Sequence, residues 1–384
     1  MVENLKNYLN LLNNQQRKAV VNSKGSTLVL AGAGSGKTRV LTFRILHLLI
    51  EKLAFSNQIL AVTFTNKAAS EMKIRVSNLL NYPIDKMWLG TFHSLSAKIL
   101  RAHAELVGLK SNFIIIDSDD QLKLIKQICE QKNIDIKEKP PKYFATVIDN
   151  YKTKGIFPQS VKSPKSKKGE ENIAIIYKLY QEELLRLNCV DFGDLILFCI
   201  KIFKENKEVC SKYQNLFKFI LVDEYQDINN VQQQWLEFFY QGHKNICCVG
   251  DDDQSIYGWG GAKIENIQKI ENDFKPIKVI KLEQNYRSTG NILSASNALI
   301  ANNPNRLEKS LWTHSGDGDL INVFNARTES DESQYVISEI KNQFNQGRNL
   351  NECAILYRSN AQSRVFEESL IKQNIDYRIY GGLR

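Results

Sequence analysis

The chain is poor in features that would staple or anchor it. Its seven cysteines are an odd number, scattered, with no Cys-x-x-Cys spacing. That sets aside a disulfide scaffold or a thiolate metal framework and leaves the buried, reduced thiols of a cytosolic protein. Cys247 and Cys248 stand side by side in an apolar run and are expected on opposite faces of a strand. No apolar run approaches the roughly 20 residues of a membrane-spanning helix. The opening MVENLKNYLN holds no apolar core of the signal-peptide kind, so the expected location is cytoplasmic. There is no internal repeat of fixed period and no nuclease-like constellation of acids and lysine.

What is present is a globular composition. The 384 residues are 43% hydrophobic and 24% charged, enough for a sizeable core and, at roughly 100–200 residues each, two or three domains. A net charge of +9 favours a polyanionic partner. Short β-rich runs alternate with longer amphipathic stretches, which predicts an α/β fold with a parallel sheet. TLVLAG (27–32), ILAVTF (59–64), FKFILVDE (217–224) and NICCVGDD (245–252) read as buried strands. Between the second and third, residues 110–200 have a helical texture interrupted by Pro140-Pro141 and by the charged loop FPQSVKSPKSKKGEEN. The core is therefore expected as 1–109 and 201–275, split by a helical insertion at 110–200. From 276 the alternation restarts with IKVIKL, LINVFNA, AILYRS and YRIYGG, which predicts the start of a second α/β lobe over 276–384.

AGAGSGKT (31–38) lies between a strand and a helix. Small residues let successive backbone N–H groups wrap a phosphate chain at a helix N-terminus. Ala31, Gly32, Ala33, Gly34, Ser35 and Gly36 form that cradle, Lys37 reaches the β- and γ-phosphates, and the Thr38 hydroxyl is a ligand for Mg²⁺. Ala31 stands where the usual pattern has its first glycine. LVDEYQD (221–227) ends an apolar strand in paired acids, Asp223 for Mg²⁺ and Glu224 for the attacking water.

With LNNQQRKAV, AVTFTNKAASEM, GTFHSLSAKIL, VGDDDQSIYGWGGA, LEQNYRST and AILYRSNAQSR in order along the chain, the sequence resembles the UvrD/Rep/PcrA group of superfamily 1 helicases. The resemblance implies a RecA-like P-loop lobe with a helical insertion (1A and 1B) followed by an incomplete second RecA-like lobe (2A). It implies an ATP-driven 3′→5′ DNA translocase of repair or replication restart, with ATP and Mg²⁺ as cofactors. Single-stranded DNA and single/double-strand junctions are the implied partners. By matching motif, Gln16 reads the adenine edge, Arg39 and Tyr286 sandwich the ring, Gln254 senses the γ-phosphate, and Arg287 is an arginine finger from the second lobe. Phe64, Thr91, His93, Phe192, Tyr257, Trp259 and Tyr357 match positions that contact the strand, where aromatic stacking grips bases without reading sequence. Pattern alone leaves Phe64 and Phe192 equally as core residues and His93 as a helix cap.

Several positions depart from the group. Gly260 replaces an Arg after the tryptophan, Ile228 a Thr, Ser70 a basic residue, and Gly193 the Asp of DFDDL. The last family motifs, including a TLHxAKGLEF-like segment and a second arginine finger, are not found. The expectation is a truncated chain that binds ATP and single-stranded DNA but turns over poorly alone, with a separately encoded C-terminal half as one partner. Two other readings stay open: a non-catalytic, ATP-gated single-strand binder, and the N-terminal part of a RecB-like helicase–nuclease subunit.

Overall fold

The computed structural model describes residues 7–161, 171–258, 261–304 and 306–380. It divides into two compact units, Met1–Gly318 and Asp319–Arg384.

The first unit is built on β1 (Ser26–Ala31), β2 (Ile59–Thr63), β3 (Trp88–Thr91), β6 (Phe219–Val222), β7 (Ile246–Gly250) and β8 (Ile277–Leu282), with β4 (Ile114–Ile115) and β5 (Cys189–Val190) lying apart. The six pair in the order β3-β2-β6-β7-β1-β8, all parallel. The four runs read as buried strands are β1, β2, β6 and β7, and their residues are buried on both faces, as helices covering both sides of a parallel sheet require.

Alternate residues serve opposite layers. Leu28, Leu30, Leu60, Val62, Ile220, Val222 and Cys248 join one apolar cluster. Val29, Ala31, Ala61, Leu221, Val249 and Cys247 join another, so the two neighbouring thiols do face opposite ways. The second cluster is covered by α1 (Asn14–Val21), α2 (Lys37–Ile50) and α3 (Asn66–Leu80), through residues such as Val20, Ile45 and Met72. The first is covered by α4 (Phe92–Ala102), by α8 (Phe192–Glu205) and by α10 (Asn230–His243), through Ile99, Phe198 and Trp235.

The insertion has its own core. Ile125 of α5 (Ser118–Gln131), Phe144 and Ile148 of α6 (Pro141–Thr153), and Tyr177, Tyr180 and Leu184 of α7 (Glu171–Arg186) pack together. Its entry and exit are tied where β4 and β5 pair, Ile114 with Cys189 and Ile115 with Val190. The expected limit near residue 200 is too late: α8 belongs by packing to the sheet, because its Leu195, Phe198 and Ile202 join the first cluster. The charged run KSPKSKK lies outside the described residues. After α9 (Lys207–Leu216) the chain returns to β6, and α11 (Ile264–Asp273) leads from β7 into β8.

IKVIKL also departs from expectation. It does not open a second lobe but forms β8, in register with β1 from Ser26↔Ile277 to Ala31↔Leu282. The sheet keeps Ile280 and Leu282 inside and leaves Lys278 and Lys281 on the outer edge, where charge discourages further pairing. The first unit ends beyond α12 (Gly290–Ile300).

In the second unit α13 (Glu329–Asn345) packs on α14 (Ser363–Lys372), with Ser333 and Ser369 hydroxyls 2.9 Å apart and Phe324 stacked on Tyr335 at 3.9 Å. The expected strands LINVFNA and AILYRS, and the described part of YRIYGG, form no ladder among the described residues. A parallel strand needs a hydrogen-bonded neighbour to exist; here Val323 is 92% and Leu356 93% exposed.

Candidate nucleotide and nucleic-acid site

Every described candidate site residue of the first unit except Gln16 and Phe192 sits at or beyond the carboxyl end of a strand of the six-stranded sheet, the edge where open α/β sheets bind ligands. The phosphate loop follows β1. Gly34 (φ 67°) and Gly36 (φ 93°) are left-handed, and Gly36 caps α2, so the loop turns its amides towards the helix N-terminus. Ala31 is simply the buried last residue of β1, so the missing first glycine removes nothing the turn needs. The Ser35 hydroxyl donates to Gly32 O at 2.7 Å and tightens the loop. Gln16 is buried against this loop: its Oε1 accepts the Asn13 N–H (3.2 Å) while Nε2 donates to Ser35 O (3.0 Å), leaving one amide hydrogen for a base edge.

Lys37 opens α2 and its ammonium meets Glu224 at 2.8 Å. Glu224 is held there by an unusual backbone, φ 48°, and by Gln226, whose Nε2 donates to the same carboxylate oxygen at 2.9 Å. Asp223, 7% exposed, directly follows β6. Burial first, then repulsion from Glu224, pushes its carboxyl up to about 7, although Lys37 pulls the other way. Burial and the same neighbour push Asp227 to about 6. A buried acid undercompensated by its protein neighbours, together with the Thr38 hydroxyl in the first turn of α2, is a hard-oxygen donor set that fits Mg²⁺.

Gln254 follows β7 and its side-chain amide donates to Asp251. Tyr286 and Arg287 are exposed and lie in the first unit, not the second as expected for the finger. Asn285 fastens them to the phosphate loop: its Nδ2 donates to Ala33 O (2.6 Å), its Oδ1 accepts the Arg287 N–H (2.7 Å), and the Tyr286 N–H donates to Gly34 O (2.9 Å). Arg39 lies over Phe43 at 5.3 Å and donates to Leu11 O at 2.7 Å, while the Tyr286 hydroxyl accepts the Asn13 side-chain amide at 2.8 Å.

The aromatic candidates fall into two pairs. Phe64, just beyond β2, is 39% exposed and meets Tyr257 with ring centroids 4.6 Å apart. Phe192, 54% exposed at the start of α8, meets His93 edge-on at 6.0 Å. Neither phenylalanine is a buried core residue. Burial holds the His93 imidazole below its ordinary value, hence neutral. The Thr91 hydroxyl caps α4 by accepting the Ser94 N–H and comes within 3.4 Å of Asn66. His93, one residue inside that helix, is therefore not the cap. Trp259 and Gly260 lie outside the described residues, and Tyr357 belongs to the second unit.

Gln226 and Asn285 are not singled out by the sequence, although both stand inside quoted motifs. Their only signal is position beside a charged or aromatic candidate; their work is to orient it.

Comparison with known proteins places these features in a family context. The family model described as the UvrD/REP helicase N-terminal domain matches residues 12–275. One described as the UvrD-like helicase C-terminal domain matches 280–384, so C-terminal-domain sequence is already present and a separately encoded half finds no support. The chain is 47% identical to DNA helicase II of Haemophilus influenzae over 97% of its own length and 52% of that protein. It is 46% identical to ATP-dependent DNA helicase PcrA of Staphylococcus epidermidis, over 97% and 51%. The chain thus spans about half the length of the curated relatives it matches. Among the described residues no helix is long and apolar enough to cross a membrane.

Proposed function

The chain belongs to the UvrD/REP helicase family, and from that premise we propose that it is the motor portion of an ATP-dependent DNA helicase moving 3′→5′ on single-stranded DNA. Its proposed partners are single strands and single/double-strand junctions, and its setting cytoplasmic DNA repair or replication restart. The observation that carries the reading is the continuity of one sheet edge. The segments after β3 and β2 bear Thr91, His93 and Phe64, the loop after β1 is the phosphate-loop candidate, and the β6 and β7 loops lie between. Tyr257, three residues from Gln254, touches Phe64, so a γ-phosphate sensor and a base-stacking ring share one short loop.

The chemistry follows from the ion pair at 2.8 Å. A triphosphate in the loop competes with Glu224 for the Lys37 ammonium. The exchange neutralises phosphate charge and frees the Glu224 carboxylate to take a proton from the attacking water. Thr38 and Asp223 are the residues that would hold Mg²⁺, which when bound neutralises charge on the β- and γ-phosphate oxygens. Gln254 orients the water, and Arg287, carried on Asn285, supplies a planar fork for charge developing on the transferred group. Stacking on Phe64, Tyr257 and Phe192 gives a sequence-tolerant grip worth about 1–3 kcal/mol per base.

DNA-stimulated ATP turnover tests this. Lys37→Ala and Glu224→Gln should each lower kcat by at least about a hundredfold, with Glu224→Gln retaining ATP binding. Full turnover in both variants removes the assigned site. Wild-type protein that binds ATP without turning it over points instead to the non-catalytic, ATP-gated binder.

A further inference from the structure

Asp251, Asp252 and Asp253 follow β7 in unbroken succession, with one oxygen from each within 4.8 Å of the others. Such a trio resembles a cation site, but a side chain fills it. The Lys309 ammonium lies 2.8, 2.6 and 2.7 Å from Asp251, Asp252 and Asp253, and the Lys309 side chain is only 2% exposed. An ammonium has three N–H donors, so each carboxylate takes one. Arg306 forks onto Asp253 through two nitrogens at 3.0 and 2.8 Å, and the Leu307 N–H donates to Asp252 at 2.6 Å. Residues 306–309 therefore grip the whole acidic loop.

The far side of that loop is the hydrolytic edge. Asp251 meets Lys309 through Oδ1 and accepts the Gln254 side-chain amide on Oδ2. Its backbone N–H donates to Gln226 Oε1 at 2.9 Å, and Gln226 in turn donates to Glu224 at 2.9 Å. Two residues beyond Lys309, Leu311 covers the phosphate loop so closely that a β-carbon at Gly32 would lie 2.2 Å from its Cδ2. Trp312 then locks the segment down, its N–H donating to Glu283 O (3.1 Å) and its carbonyl accepting the Asn285 N–H (2.7 Å). One strap, 306–312, thus touches the acidic loop, the phosphate loop and the base of the Tyr286–Arg287 turn.

We propose that Lys309 is a positioning residue for hydrolysis: by fixing Asp251 it sets the direction of the Gln254 amide, and the strap keeps that sensor in register with the phosphate loop. The inference rests on the ATP-hydrolysing reading above. A buried ion cluster adds little stability over apolar side chains of equal volume; what it supplies here is orientation. Burial opposes the Lys309 charge, but the three acids outweigh it and hold the ammonium protonated.

The test is steady-state kinetics on Lys309→Met, Gln254→Ala and the double variant, with thermal melting as the check on folding. Lys309→Met should lower DNA-stimulated kcat about tenfold while leaving KM for ATP within about twofold. The double variant should be no slower than Gln254→Ala alone, because both act through one amide, and Lys309→Arg should recover part of the rate. Unchanged kcat in folded Lys309→Met, or losses that multiply in the double variant, overturns the proposal. If Lys309→Met does not fold, Arg306→Met takes its place at the rim: a loss of about threefold that disappears in the Gln254→Ala background supports the strap, and an unchanged rate overturns it. A wild-type protein without DNA-stimulated turnover overturns the parent reading; a turning-over wild type with an indifferent strap overturns only this inference.

Discussion

Asp223 directly follows β6 with its carboxyl almost wholly buried, and its ordinary value of 3.8 is raised to about 7. The folded protein therefore binds this proton more tightly than the unfolded chain, and stability falls as pH rises from about 4 to about 7. Asp227, raised to about 6, adds to the same window. In metal-free buffer, Asp223→Asn should flatten this part of the profile and stabilise the protein at pH 8 by roughly 1–4 kcal/mol, read by denaturant melts at about pH 5 and pH 8. Equal slopes for wild type and variant would place the proton elsewhere. Saturating Mg²⁺ with nucleotide should reduce the difference, since a cation stabilises the charged carboxylate directly.

The residues that bear charge or rings were legible in the sequence because motif spacing marks them. Those that aim them were not. Gln226, Asn285 and Lys309 act through partners 25, 252 and 57 positions away, Asp251, Ala33 and Asp252, and no local pattern announces such contacts.

At the scale of elements, the start of α8 rests on a buried ion cluster. Lys152 of α6 is fully buried, 2.6 Å from Asp191 and 2.7 Å from Asp194, and the Tyr180 hydroxyl donates to Asp191 at 2.9 Å. Burial opposes the lysine's charge, yet the two acids hold it protonated. Lys152→Met leaves two buried carboxylates unpaired and should destabilise the protein by about 3–5 kcal/mol, measured by chemical denaturation. A loss under about 1 kcal/mol would mean water reaches the cluster. Between the two acids sits Gly193, where a β-carbon would lie 2.8 Å from the Lys152 Cδ. The missing side chain is thus the space the lysine stem occupies, so this departure from DFDDL has a packing reason. Gly193→Ala should cost roughly 1–3 kcal/mol by overpacking, and a neutral effect would show that the stem can move aside.

Strand recognition shows the same division between local and distant information. β1, β2, β6 and β7 were legible because continuous burial writes continuous apolar runs. IKVIKL was legible as a strand but not as a partner of β1, since its alternation is that of any edge strand. LINVFNA and AILYRS have strand-like composition without the neighbours that would make a ladder.

For the whole molecule, one edge of one sheet is proposed to serve two ligands. The proposed nucleotide contacts gather around β1, β6 and β7, proposed strand contacts Phe64, Thr91 and His93 follow β2 and β3, and the loop after β7 carries one candidate of each kind, Gln254 and Tyr257, the latter against Phe64. Tyr257→Ala should therefore weaken oligonucleotide binding and also blunt the stimulation of ATP turnover by DNA, each by about five- to tenfold. If only binding changes, the loop grips but does not transmit.

The most direct measurement is the affinity for a fluorescent oligothymidylate, by anisotropy at fixed salt, with and without a non-hydrolysable ATP analogue and Mg²⁺. The account predicts that nucleotide changes the Kd by about fivefold or more, a coupling of about 1 kcal/mol, and that Lys37→Ala abolishes the change. An identical Kd in both conditions, with nucleotide binding verified in the same sample, would contradict it.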